Sequence, residues 1–275
     1  MSGKLFVVGT PIGNLGDFSE RAINTLKDCD FIAAEDTRVT IKLLNHFGIK
    51  KPMISYFEHN KFQKGEIICD RIQNGENCVL VSDAGMPAIS DPGEELVCQC
   101  IERGIEVTVV PGPSALISAL AISGMKTGRF TFEGFLSVNK KRRKEHLIEL
   151  IDEKRTMIFY EAPHKLKSTL EDMYNILGDR RITLVRELTK IHEEVIKTTF
   201  KQALIRMNDE KPKGEFVLII EGKEPEEKES YGLEDAQKIA EDLIEKGFSL
   251  SESSFKAAAI TGIKKGEIYK SLVEN

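Results

Sequence analysis

The sequence contains no tryptophan, no long apolar stretch and no cysteine pair spaced as CxxC. A membrane-spanning helix needs about 20 consecutive apolar residues, and no stretch approaches that length. The apolar run at 5–8 is also too short for the core of a signal peptide. The five cysteines are odd in number, which favours reduced, buried thiols and a cytoplasmic protein. The histidines lack metal-ligand spacing, so we expect no metal site.

The chain also lacks an excess of positive charge. Lysine and arginine number 39 against 44 acids, which gives a net charge of −5. Such a chain has no overall attraction to nucleic acid, so any RNA contact must come from a local basic patch. With 41% apolar and 30% charged residues over 275 positions, the composition predicts a folded protein of about two domains and excludes disorder.

Short β-branched runs alternate with helices that end at glycine through the first 123 residues, a pattern typical of βαβ units and a mostly parallel sheet. Asp17 and Glu20 suggest a capping box that starts the first helix near residue 18. A second series of strands and helices begins near residue 124. The predicted fold is α/β, with two open domains and a helical extension. In chain order we predict an N-terminal α/β domain (1–123), a C-terminal α/β domain (124–222), a linker (223–232) and an extension resembling a helix-turn-helix (233–275).

Three loops rich in glycine and proline follow predicted strands, at 9–17, 82–87 and 110–115. Ligands of open α/β sheets bind at the carboxyl ends of strands, so these loops could form one wall of a nucleotide-like site. They could also be simple tight turns. The first loop followed by Glu35-Asp36 imitates a dinucleotide fingerprint, but its spacing is GxxxGxxG rather than GxGxxG, which fits a dehydrogenase poorly. There is no GxxxxGK[ST] motif, which argues against a nucleotide-hydrolysing enzyme.

Four further motifs accompany these loops: AEDTR at 34–38, YFEHN at 56–60, FYEAPH at 159–164 and RELTK at 186–190. Together they resemble the tetrapyrrole methylase superfamily and, within it, the small-subunit ribosomal RNA methyltransferase I family of 16S rRNA cytidine 2′-O-methyltransferases. The resemblance covers residues 5–222, and the tail is similar to that family's helical extension. It implies a class III methyltransferase fold, a homodimer and S-adenosylmethionine as methyl donor, bound in a cleft between two domains.

The resemblance also implies which residues contact the donor. The first two loops of this sequence depart from the Gly-Pro-Gly-Asp and Gly-Asp-Pro patterns of true tetrapyrrole methylases, which disfavours a tetrapyrrole substrate. Methylation of a tetrapyrrole or another small molecule stays open as an alternative, as does a non-catalytic RNA-binding assembly factor. Carried over position by position, the expected donor contacts are Pro11, Asp83, Met86, Ser114, Ala115 and Ala162.

Methyl transfer to a ribose hydroxyl is an in-line displacement that a base or a cation near the oxygen should assist. Possible bases are Glu58, His59, Glu161, Glu187 and Glu193, and possible cations are Arg38, Arg186 and Lys190. We predict a catalytic centre at or just after strand ends. Its members are Arg38, Glu58, His59, Arg186 and Glu187. In the alternative, Glu58 and Glu187 pair with Arg38 and Arg186 and merely hold the loops.

One dense basic run is the candidate RNA contact. Five consecutive cations can neutralise several phosphates, and at a helix start they oppose the helix dipole, which favours a role other than helix stability. In the alternative, the basic run is simply the solvent-exposed start of a helix and does not contact RNA. The tail at 233–275 carries six lysines and eight acids, so packing or dimerisation is as compatible with it as RNA recognition. The predicted RNA-binding residues are Lys140, Lys141, Arg142, Arg143 and Lys144, and the predicted partner is 16S rRNA in the small ribosomal subunit.

Overall fold

The structure, a computed structural model, describes residues 2–207, 212–224 and 231–273. The chain forms two compact units, residues 1–223 and 224–275. The first unit holds both sheets, so the predicted division into two α/β domains near residue 123 stays a prediction. Most of the predicted linker at 223–232 lies outside the described residues.

The first sheet is entirely parallel, in the order β3-β2-β4-β1-β5. This confirms the parallel sheet predicted from the alternating strands and helices. Both central strands β2 and β4 are fully buried, as expected for a sheet covered by helices on both faces. The elements are β1 (Lys4–Val8), α1 (Glu20–Asp28), β2 (Phe31–Ala34), α2 (Thr37–His46), β3 (Met53–Ser55), α3 (Lys61–Gln73), β4 (Cys78–Val81), α4 (Glu94–Glu102), β5 (Glu106–Val110) and α5 (Ala115–Ser123).

The second sheet is mixed, in the order β6-β7-β10-β8-β9, with only the β6–β7 pair parallel. The sequence prediction missed β9 and α8. Strand β9 reads EVIKTT and lies at the sheet edge, where its two charged residues and two threonines leave only two apolar residues and hide the strand pattern. The elements are β6 (Phe130–Phe135), α6 (Lys140–Glu149), β7 (Thr156–Glu161), α7 (Pro163–Leu177), β8 (Arg181–Arg186), β9 (Glu194–Thr199), α8 (Phe200–Arg206) and β10 (Phe216–Ile220).

The start of α1 differs from the predicted capping box. Residues Leu15–Asp17 form a short 3-10 turn, and α1 begins two residues later than expected. Ser19 is the N-cap, because its hydroxyl accepts a hydrogen bond from the Ala22 N–H at 3.1 Å. A serine cap satisfies the free amide groups of the first turn, so Asp17 is not needed there.

The second unit contains three helices, α9 (Leu233–Glu245), α10 (Leu250–Thr261) and α11 (Lys265–Val273). They pack around Ala236, Ala240, Ala257 and Ile268. The extension is therefore helical, as the sequence predicts. Within the described residues, no helix of the chain is both long enough and apolar enough to cross a membrane.

Candidate active site

The three glycine-rich loops meet because β4, β1 and β5 are neighbours in the first sheet. Thr10 and Gly85 exchange backbone hydrogen bonds of 2.9 and 3.1 Å, which join the first loop to the second. The first and third loops approach even more closely. A Cβ atom on Gly9 would lie 2.7 Å from the Cα of Gly112, closer than real side chains allow. The glycines therefore permit the loops to form one continuous wall.

A cavity of about 480 Å³ lies between this wall and the second sheet. Ligand pockets of small molecules commonly have volumes of this order. The loops after β1, β4 and β5 contribute residues such as Met86 and Ser114. The opposite side is formed by residues of β6, β7, β8 and β10, among them Phe135 and Val217. The cavity thus lies at the carboxyl ends of the first sheet's strands, where an α/β protein is expected to bind its ligand.

The structure gathers most of the expected donor contacts around this cavity. Met86, Ser114, Ala115 and Ala162 line it. The other two expected contacts, Pro11 and Asp83, each adjoin a lining residue in the chain, Ile12 and Ala84 respectively. The four lining residues contribute an apolar sulfur side chain, two small side chains and a hydroxyl, a mixture of apolar surface and a polar group that is typical of small-molecule sites.

Tyr160 connects the two sides of the cavity. Its phenol oxygen accepts a hydrogen bond from the Leu116 N–H at 3.1 Å, at the start of α5. Its ring contacts Phe132 and Phe135, with centroids 5.0 and 5.5 Å away. Burial raises the pKa of Tyr160, so the phenol stays protonated at neutral pH and can donate its own hydrogen.

Three members of the predicted catalytic centre are exposed and follow strands of the first sheet, Arg38 in the first turn of α2 and Glu58 and His59 in the turn before α3. Arg38 forms an ion pair of 2.6 Å with Asp36, and its side chain is 88% exposed. Glu58 pairs with Lys61 at 2.8 Å, and His59 is exposed next to Phe57. None of the three lines the cavity.

Of the other two members, Arg186 is the last residue of β8 and Glu187 follows it. The Arg186 guanidinium donates to the backbone oxygen of Lys213 at 2.6 Å and contacts Glu194. Glu187 has a positive φ of 50° and accepts hydrogen bonds from the Glu215 N–H and the Lys190 ammonium. These donors lower the pKa of Glu187, the backbone N–H contributing most, which makes it a weak base.

Neither Glu58 nor Glu187 forms the ion pair with arginine that the structural alternative assumed, within the part of the chain that the structure describes. Glu161, another candidate base, is buried, and its carboxylate is occupied by the Ala162 N–H and the Thr169 hydroxyl at 2.8 and 2.6 Å. The catalytic assignment of Arg38, Glu58, His59, Arg186 and Glu187 therefore stays a prediction, and the structure directs attention to other polar residues of the cavity.

The sequence analysis assigned no role to three residues that line the cavity: Asp91, Phe135 and Tyr160. A signal for Asp91 was present, because Ser90-Asp91-Pro92-Gly93 is a turn sequence that lies two residues beyond the second loop. The two aromatic residues resemble ordinary strand residues. Their position at the cavity depends on how the sheets face each other, which no local pattern reveals.

The basic run at 140–144 forms the first turn of α6, where the Asn139 side chain caps the Lys141 and Arg142 N–H groups. Arg143 differs from the prediction, because it is buried and its Nε donates to Asp172 at 2.7 Å. It is therefore not open to a phosphate. The other four cations are exposed. In the described residues we find no group of three or more histidine, cysteine, aspartate or glutamate side chains that could hold a metal ion.

Comparison with known proteins places the fold and the whole chain among methylases. Residues 4–204 match the family model described as tetrapyrrole (corrin/porphyrin) methylases. A "Ribosomal RNA small subunit methyltransferase I" from Synechocystis is 46% identical over 273 residues, covering 99% of this chain and 98% of that protein. One of the same name from Thermotoga maritima is 48% identical over 222 residues, covering 81% of this chain and 100% of that protein.

Solved structures share the fold at low sequence identity. A uroporphyrin-III C-methyltransferase from Thermus thermophilus, complexed with S-adenosylhomocysteine, superposes with a TM-score of 0.56 at 15% identity. The match covers 79% of this chain and 97% of that structure. The likeness shows that the two-sheet arrangement of the first unit is that of a class III methyltransferase.

Proposed function

Because the chain belongs to the ribosomal RNA small subunit methyltransferase I family of tetrapyrrole methylase-fold proteins, we propose that it methylates the ribose 2′-oxygen of a cytidine in 16S rRNA. The methyl donor is S-adenosylmethionine, whose sulfonium group supplies an activated methyl carbon. The observation that carries this proposal is the cavity of about 480 Å³, around which four of the six expected donor contacts are assembled.

Several residues of the chain suit the donor. Met86 and Ala162 offer apolar surface on opposite sides of the cavity, and Ser114 offers a hydroxyl at the start of α5. Pro11 and Asp83 belong to the loops that Thr10 and Gly85 join. In this proposal the loops hold the donor, and the remaining space admits the acceptor ribose. Positioning of the two reactants then supplies much of the catalysis.

The basic run suits an RNA acceptor. Strand β6 ends at Phe135, which lines the cavity, and α6 begins at Lys140 five residues later. Five residues span at most roughly 17 Å, so the start of α6, where the exposed cations begin, is close enough to the cavity to contact phosphates that flank a nucleotide bound there. Action on the small subunit, a homodimeric state and a cytoplasmic location are parts of the same proposal.

The proposal is tested with purified protein, methyl-labelled S-adenosylmethionine and small ribosomal subunits that lack the modification. After the reaction the RNA is digested and the labelled nucleosides are identified. We expect label in 2′-O-methylcytidine. Donor binding without label in RNA would contradict the proposal and favour either a small-molecule acceptor or a non-catalytic assembly role. Free 16S rRNA, assayed in parallel, shows whether the assembled subunit is needed.

A further inference from the structure

Asp91 stands out among the acids that line the cavity. Glu161 is occupied by hydrogen bonds from Ala162 and Thr169, and Glu215 pairs with Lys190 at 2.9 Å. Asp91 is half-buried, and the structure's described residues provide no ion pair to it. A carboxylate that lines a ligand cavity without a cationic partner is complementary to a positively charged ligand.

Within the described ranges, the side chains that shift the pKa of Asp91 are neutral or acidic. Glu35 and Asp83 lie near enough to raise its pKa, the Ser82 hydroxyl lies near enough to stabilise the carboxylate, and the Asp91 charge acts on Tyr160 of the second sheet. Burial and, to a smaller extent, the neighbouring Glu35 and Asp83 carboxylates raise the pKa of Asp91, the Ser82 hydroxyl lowers it, and the net result is a pKa of about 6. Asp91 is therefore ionised at neutral pH, yet it binds a proton more readily than an ordinary aspartate.

The backbone before Asp91 is strained. Ala88 and Ser90 have positive φ angles of 66° and 70°, which side chains other than glycine rarely adopt. Among the described non-glycine residues the other two positive φ angles belong to Glu187 and Thr189, which flank the cavity residue Leu188. Strain of this kind persists only where surrounding structure enforces it, and it concentrates at functional sites.

We propose that Asp91 faces the reacting sulfonium and accepts the proton of the acceptor hydroxyl, an assignment that rests on the proposed function. As the oxygen–carbon bond forms, the carbon–sulfur bond breaks and its electron pair stays on sulfur. The hydroxyl proton moves to the Asp91 carboxylate. The positive charge of the sulfonium disappears in the same step, which removes the electrostatic stabilisation of that carboxylate and favours its protonation.

The assignment is tested with Asp91→Asn, with Asp91→Glu as the variant that keeps a carboxylate, and with Glu94→Gln as the matched control. Glu94 is an exposed acid three residues away that does not line the cavity. The first measurement is the affinity for S-adenosylmethionine and for S-adenosylhomocysteine between pH 5 and pH 8. The second is kcat on unmodified small subunits, and thermal unfolding verifies that each variant is folded.

In the wild-type protein, affinity for S-adenosylmethionine should rise about tenfold as pH increases through 6, because ionised Asp91 attracts the sulfonium. Affinity for S-adenosylhomocysteine, which lacks that charge, should change less. Asp91→Asn should abolish the difference and lower kcat by about 10² to 10⁴-fold. Asp91→Glu should retain the pH dependence, and Glu94→Gln should behave like the wild type.

An Asp91→Asn variant with wild-type pH dependence of donor affinity overturns the assignment, whatever its kcat. An Asp91→Asn variant that keeps the wild-type kcat also overturns the assignment. If Asp91→Asn does not fold, loss of the pH dependence in Asp91→Glu overturns it equally. The proposed function fails separately, when the wild-type protein puts no label into RNA. The binding measurements then still decide whether Asp91 faces the sulfonium.

Discussion

Arg143 lies inside the basic run but faces the protein interior. Its side chain is 6% exposed and forms an ion pair of 2.5 Å with Asp172 of α7. Loss of one partner from a buried pair leaves the other charge uncompensated. We expect Arg143→Ala to lower the free energy of unfolding by about 3 kcal/mol. The measurement is urea denaturation at pH 7.

Lys144→Ala is the control for Arg143, because the two residues are adjacent and Lys144 is exposed. It should change stability by less than about 0.5 kcal/mol. It should instead weaken binding to small subunits, with a smaller dependence of affinity on salt concentration. Equal losses of RNA affinity in both variants, with unchanged stability, would assign Arg143 to the RNA surface after all.

Phe135 is the residue most suited to contact the acceptor base. Its side chain lines the cavity, is 56% exposed, and has its ring tilted against Tyr160. Stacking of an unpaired base on an aromatic ring contributes about 1 to 3 kcal/mol. We therefore expect Phe135→Ala to raise KM for small subunits by about tenfold, with little change in donor affinity.

Phe130→Ala provides the matched comparison for Phe135, since Phe130 lies at the other end of β6 and outside the cavity lining. The KM of Phe130→Ala for small subunits should stay at the wild-type value. Steady-state methylation assays and calorimetric donor titrations separate the two effects. Should Phe135→Ala weaken donor binding as strongly as acceptor binding, the ring contacts the donor rather than the base.

At the scale of elements, the β1 and β5 loops depend on glycine at their closest approach. A Cβ on Gly9 would meet both the Met86 sulfur and the Gly112 backbone at less than 3 Å. Gly9→Ala must therefore separate the loops that form one wall of the cavity. We expect it to weaken donor binding at least about tenfold and to destabilise the fold by about 1 to 3 kcal/mol.

The control for Gly9 is Gly128→Ala, because a Cβ on Gly128 would meet nothing within 4 Å and its φ is not positive. It should bind the donor normally. Calorimetric titration and thermal unfolding of both variants check the comparison. Normal donor affinity in Gly9→Ala would show that the wall tolerates a shift and does not hold the donor.

The elements also show what local sequence patterns can predict. The first sheet could be predicted because short apolar strands alternate with glycine-terminated helices. In the structure, the strand order of that sheet brings the three predicted loops together. Strand β9 was not predicted because it is an edge strand with many polar residues. The turn sequence around Asp91 could have been recognised, but the place of Phe135 and Tyr160 beside it could not. Their meeting depends on contacts between residues far apart in the chain, which periodicity does not encode.

At the scale of the whole molecule, the cavity belongs entirely to the first compact unit. The Thermotoga relative matches over 222 residues that make up its whole length, about the length of that unit. Residues 233–275 carry six lysines and eight acids, a net charge of −2, so this extension adds no net attraction for phosphate.

Removal of residues 225–275 should therefore leave a folded protein that binds S-adenosylmethionine with wild-type affinity. We expect kcat on small subunits to be retained and KM to change less than about threefold, since the four exposed cations of the basic run remain. Donor titration, methylation assays and sedimentation of the truncated chain check this. A truncated protein that folds as a monomer and loses activity would instead assign the extension to dimerisation. One that keeps its assembly but loses affinity for RNA would assign the extension to RNA recognition.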